Sequence, residues 1–169
     1  MNASMVEEYF LQVDKLFAEG EYGEGKKLLE EILETEPDYG RAHNHLGWLY
    51  FTKFDNYERA AIHFKLGIKF SPDYPASYIN YTYLLNDLNE VEALKLNVER
   101  ALKVKGINRA ILYNELGRSY ELNGNYNLAS QNYKNAIRHT LNKQEMETYN
   151  QNMERVKTKK GIFSKKFFS

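Results

Sequence analysis

One pattern limits this chain more than any other: a skeleton of small and large residues that returns at an almost fixed interval. From Ala42 to Pro72 it reads Leu46-Gly47, Tyr50, Tyr57, Ala60, Phe64, Gly67 and Pro72. It returns as Leu116-Gly117, Tyr120, Tyr126, Ala129, Tyr133 and Ala136. Aligned on this template the chain gives four units. Gly25, Ala60, Leu94 and Ala129 form one column; Leu29, Phe64, Val98 and Tyr133 a second; Ile32, Gly67, Ala101 and Ala136 a third, with steps of 35, 34 and 35. An earlier pair of columns, Val13, Gly47, Thr82, Gly117 and Leu16, Tyr50, Leu85, Tyr120, steps by 34, 35 and 35. A period of this length marks an array of small supersecondary units, none of which can bury its apolar face alone.

The two step patterns place the extra residues. One lies near Lys53 to Asn56, inside the second unit, and the other near Lys105 to Asn108, between the third and fourth. Both stretches read as loops, where added length costs little. Gly20 and Gly124 stand where a helix would end in a left-handed residue. Pro37 and Pro72 fall between units, where a helix must stop.

These residues resemble the tetratricopeptide repeat, a helix–turn–helix unit with small residues at the Gly47 and Ala60 positions, large ones at Tyr50 and Phe64, and a closing proline. The resemblance covers about residues 6–143 and is strongest in the second and fourth units. It implies an all-α fold, a right-handed superhelix of antiparallel helix hairpins. The expected units are 6–39, 40–74, 75–109 and 110–143, followed by a capping helix over 144–160 and a basic-aromatic tail over 161–169. The first unit departs from the pattern at Val13 and Gly25, the third at Thr82 and Leu94. Met146, Tyr149, Met153 and Val156 recur at helical spacing and give the capping helix its apolar stripe. The tail carries Lys157, Lys159, Lys160, Lys165 and Lys166 with Phe163, Phe167 and Phe168. Such a cluster fits a disordered end, local docking, an anionic membrane surface or a partner.

Charge and composition narrow the function. Lysine plus arginine and aspartate plus glutamate each number 23, so net charge is zero and general nucleic-acid binding is disfavoured. The charge is polarised: residues 1–40 carry eleven acids against three bases, and residues 141–169 seven bases against three acids. That asymmetry would support head-to-tail, salt-dependent self-association or an oriented partner, or it is only a difference between solvated faces. There is no cysteine, and the opening residues carry acids where a secretory signal would be basic and then apolar. With no long apolar run, the chain reads as cytoplasmic.

Nothing points to catalysis, a cofactor or a metal. His43, His45, His63 and His139 are scattered. GEYGEG, with Gly20, Gly23 and Gly25, lacks the strand and the Lys-Ser/Thr of a phosphate loop. The resemblance implies instead a concave groove lined by the first helix of each unit. By register the candidate partner-binding residues are Arg41, Asn44, Trp48, Phe51, Asn80, Tyr83, Asn114 and Arg118. Trp48 lies outside the packing skeleton; it reads as an anchor in the groove, or as packed on a neighbouring first helix or on the chain's own tail. Asn44, Asn80 and Asn114, one per unit, would each offer an amide to an extended peptide backbone, although asparagine is abundant throughout the chain. The carboxylate clamp of chaperone-binding relatives needs a basic pair. Phe10, Asp14, His45, Ala76 and Asn80 in one frame, and Asn44, Trp48, Asn80, Ile111 and Glu115 in the other, do not supply it. The expected function is a non-enzymatic scaffold or adaptor for a protein or peptide ligand. The alternatives are a peripheral membrane-associated assembly factor that uses the tail, and a chaperone-like partner of secreted proteins.

Overall fold

The computed structural model describes residues 3–166, and side chains over 5–162. Among the described residues there are nine helices and no strand. They are α1 (Ala3–Glu19), α2 (Tyr22–Thr35), α3 (Gly40–Thr52), α4 (Tyr57–Phe70), α5 (Pro75–Asp87), α6 (Val91–Ala101), α7 (Arg109–Leu122), α8 (Tyr126–His139) and α9 (Lys143–Lys166). They gather into two compact units, Met1–Leu84 and Leu85–Ser169, and the division falls inside α5.

In the first unit, α1 pairs with α2, α3 with α4, and α2 lies against α3. The periodic small residues permit the close approach. A Cβ on Gly47 would lie 2.6 Å from the Phe64 ring, and one on Gly25 would meet the ring of Phe17. Phe64, Leu29, Ile32 and Val13 are fully buried at these contacts, each such side chain stabilising the fold by about 1.5–3 kcal/mol. In the second unit, Gly117 repeats the arrangement, with a Cβ position 2.7 Å from the Tyr133 ring. Asparagine starts several helices: Asn56, Asn108 and Asn125 accept backbone N–H bonds at the N-termini of α4, α7 and α8.

The turns inside the hairpins share one construction. Gly20, Asp55, Asn89 and Gly124 all take left-handed φ, at 84°, 49°, 56° and 73°. The next residue donates its N–H back to the column of Leu16, Tyr50, Leu85 and Tyr120, at 2.8–2.9 Å. This is a Schellman closure. It spans five residues in three turns and six from Tyr50 to Asn56, so the extra residue lies where the column steps put it. The second extra residue falls in the loop Leu102–Asn108, which turns at Gly106 with φ of 78°.

The last helix is longer than expected: α9 continues past Lys160 to Lys166. Its Tyr149 packs with Ala110 and Ala136, and its Val156 with Ala129 and Tyr133. Met153 adds to the second cluster, whereas Met146 is exposed. The register explains these contacts. Ala42, Ser77, Leu112 and Tyr149 form one column, and Leu49, Leu84, Ser119 and Val156 another, with steps of 35, 35 and 37. All eight are at most 5% exposed. Thus α9 takes the place of a fifth first helix. Its side meant for a partner helix is polar, with Glu154 at the Gly47 and Gly117 position and Lys157 at that of Tyr50 and Tyr120. The side chains of Phe163, Lys165 and Lys166, and residues 167–169 with Phe167 and Phe168, lie outside the described residues.

Candidate protein-interaction surface

Six of the candidate groove residues belong to the first unit. Arg41 donates to both carboxylate oxygens of Glu7 at 3.1 Å and lies 4.3 Å from the Phe10 ring. The Tyr39 hydroxyl also donates to Glu7, at 2.8 Å; burial first, and this bond second, push its pKa up to about 12. Asn44 is buried, and its side-chain oxygen accepts a 3.0 Å bond from Asn80. This amide therefore braces one first helix against the next.

Trp48 is half-buried. Its ring lies 5.5 Å from Phe17 of α1 and 6.0 Å from Tyr22, while the Lys53 ammonium sits 4.2 Å from the Tyr22 ring and 5.6 Å from that of Trp48. Trp48 thus packs on a neighbouring first helix, one of the alternatives open in the sequence, and keeps an open edge. Phe51 is half-buried against Tyr57 at 5.9 Å, and Tyr83 is half-buried as well. The first unit carries the half-covered rings Phe17, Trp48, Phe51 and Tyr83 on its first helices.

Asn114 and Arg118 belong to the second unit. Asn114 accepts a 3.0 Å bond from Asn152 of α9, the same brace that Asn80 and Asn44 form. Arg118 is exposed and pairs with Asp87 at 3.1 Å and Glu115 at 3.4 Å. Both line a cavity of about 290 Å³, together with Glu121, Leu122, Tyr133, Asn152, Arg155 and Lys159.

At the wall of that cavity lies a cluster that the sequence did not single out. Glu121 accepts from Arg155 at 2.7 Å through both oxygens, from Lys159 at 2.8 Å and from the Tyr133 hydroxyl at 2.8 Å. Burial alone would raise the Glu121 pKa, but the bonds from Arg155, Lys159 and Tyr133 prevail and hold it down at about 2. Burial, then the Glu121 bond, push the Tyr133 phenol well above its ordinary value. Arg155 and Lys159 belong to α9, so this carboxylate ties the last helix to the preceding hairpin.

A second unforeseen pair joins α3 to α4. The Nδ1 atoms of His43 and His63 are 3.1 Å apart, and His43 Nε2 lies 2.9 Å from the Pro37 carbonyl oxygen. That oxygen only accepts, so His43 carries its proton on Nε2 and takes the His63 Nδ1–H on Nδ1. The rings of Tyr50 and Phe70 stack on His63 and His43. Burial lowers both pKa values, that of His63 to about 4 with help from His43. Among the described residues, no three His, Cys, Asp or Glu side chains converge as metal ligands.

No family model matches the chain, and no curated protein matches it. Solved structures do. A crystal structure of a MamA protein superposes with a TM-score of 0.79 at 18% identity, covering 97% of this chain and 87% of that one. PilW, described as a widely conserved type IV pilus biogenesis factor, gives 0.73 at 14% identity, covering 92% and 79%. A thermophilic TPR protein of Thermus thermophilus gives 0.50 at 14% identity, covering 88% and 98%. The chain has the tetratricopeptide-repeat fold. None of its described helices is long and apolar enough to cross a membrane.

Proposed function

We propose that the protein is a non-enzymatic interaction scaffold that holds a peptide or partner helix against the first helices of residues 3–84. The half-covered aromatic patch of Phe17, Trp48 and Phe51 carries this reading, since large rings with one packed and one open edge are the usual anchors of a binding surface. Packing on Phe17 holds Trp48 in place, so little side-chain order remains to be gained on binding. The Lys53 ammonium at its rim favours a ligand with an acid beside an apolar side chain. The Asn44–Asn80 amide pair supports the face and leaves selectivity to the rings.

Trp48 is the only tryptophan, so its emission reports directly on this patch. Titration with acidic-aromatic peptides is expected to shift that emission to the blue and protect it from a soluble quencher. By calorimetry, Trp48→Ala should weaken the same peptides by about 2 kcal/mol, roughly thirtyfold. Equal affinity for the variant would remove Trp48 from the site and with it this reading.

A further inference from the structure

The register that assigns α9 to a fifth first helix runs further along the chain. Gly20, Asp55, Asn89 and Gly124 are the left-handed residues that close the four hairpin turns. With the step of 37 that brings Leu112 to Tyr149 and Ser119 to Val156, the next member of this column is Gly161. Two residues on, Tyr22, Tyr57, Val91 and Tyr126 are followed by Phe163 at the same step. A glycine therefore stands where a hairpin turn belongs, followed by an aromatic where a second helix begins.

The backbone does not turn there. Gly161 is helical, without the positive φ of Gly20 or Gly124, and α9 runs straight through it to Lys166. Both conformations are compromised. Continuing the helix puts glycine in a helix interior, where it is the poorest former after proline. Turning back gains a Schellman bond from the Ile162 N–H to the Lys157 carbonyl, the pair that corresponds to Asn125 and Tyr120. It gains little packing, because Lys166 occupies the column of Gly25, Ala60 and Ala129, and Glu154 that of Gly47 and Gly117.

We propose that the stretch 161–166 is a two-state element: it either extends α9 or turns back at Gly161, alongside α9, as the start of a fifth second helix. The switch is local and leaves Tyr149, Val156 and the Glu121 cluster in place.

The full chain has no cysteine, so Asn150→Cys with Lys166→Cys accepts one pair of nitroxide labels. The straight helix separates these two Cα atoms by about 24 Å. The turned form brings them to about 14 Å, from the returned helical rise and the spacing of two packed helices. The unaltered Gly161 chain is expected to show both distances. Gly161→Ala, which meets no atom within 4 Å but resists left-handed φ, is expected to keep only the longer one. A single long distance in both chains would overturn the proposal, as would a short distance that survives Gly161→Ala.

Discussion

Gly47 and Gly117 are fixed by the rings opposite them, not by backbone conformation. Adding one methyl at Gly47 drives it into Phe64, so Gly47→Ala should cost about 1–3 kcal/mol, read as a lower urea midpoint with unchanged slope. Trimming the ring in the double variant Gly47→Ala/Phe64→Leu should return part of that loss. The His43–His63 pair makes a separate prediction, in pH. His63 is surrounded by Lys26 and Glu30 of α2, His43 of α3 and Arg59 of its own helix. Its folded pKa of about 4 lies below the ordinary 6.5, so between these values the unfolded chain binds more protons. Stability is therefore full above pH 6.5 and is lost as pH falls toward 4. His63→Gln should flatten urea midpoints measured across that window. The columns of small and large residues were legible because four copies repeat them. This pair was not, since 20 residues separate two histidines that only the closed hairpin brings together.

Among the elements, α9 depends most on a single side chain. Glu121→Ala leaves Arg155, Lys159 and the Tyr133 hydroxyl without their shared acceptor, and should loosen α9 by about 2 kcal/mol. Hydrogen exchange of the Tyr149–Val156 amides should rise while that of α3 and α4 stays unchanged. Because the Glu121 pKa is held down at about 2, its contribution is complete above the ordinary carboxylate value and disappears as pH falls from there toward 2. Most of that acid step lies below the histidine window, which it meets only between about pH 4 and 4.5, so the two are separable. The apolar stripe of α9 was readable at helical spacing. Register sets Glu121 on the first-helix face, but no spacing joins it to α9, and its burial follows only from the docked geometry. The amides behave similarly: register places Asn44 and Asn114 on the first-helix face, but the closeness of the next helix turns both into braces.

For the molecule as a whole, the exposed sides of the first and last helices matter most. The columns that bury Ala42 and Leu49 begin in α1 with Glu8 and Lys15, both exposed, and the far side of α9 presents Glu154 and Lys157. Charged residues thus stand at the packing columns of both helices, although α1 also exposes Met5 and Leu11 and α9 exposes Met146 and Ile162. We therefore expect the opposite charges of the two chain ends to stay solvated rather than to hold copies together. Sedimentation should find a monomer at both low and high salt; a dimer that dissolves with added salt would show that the polarised charge drives assembly after all.

The six-residue closure from Tyr50 to Asn56 has a practical consequence. Position in these hairpins is counted by the closing bond, so a residue gained before it shifts the numbering without displacing Gly47 or Phe64. The stretch at Lys53 and Phe54 is thus a natural entry point for an inserted epitope or reporter peptide, a handle on the protein set beside its aromatic patch.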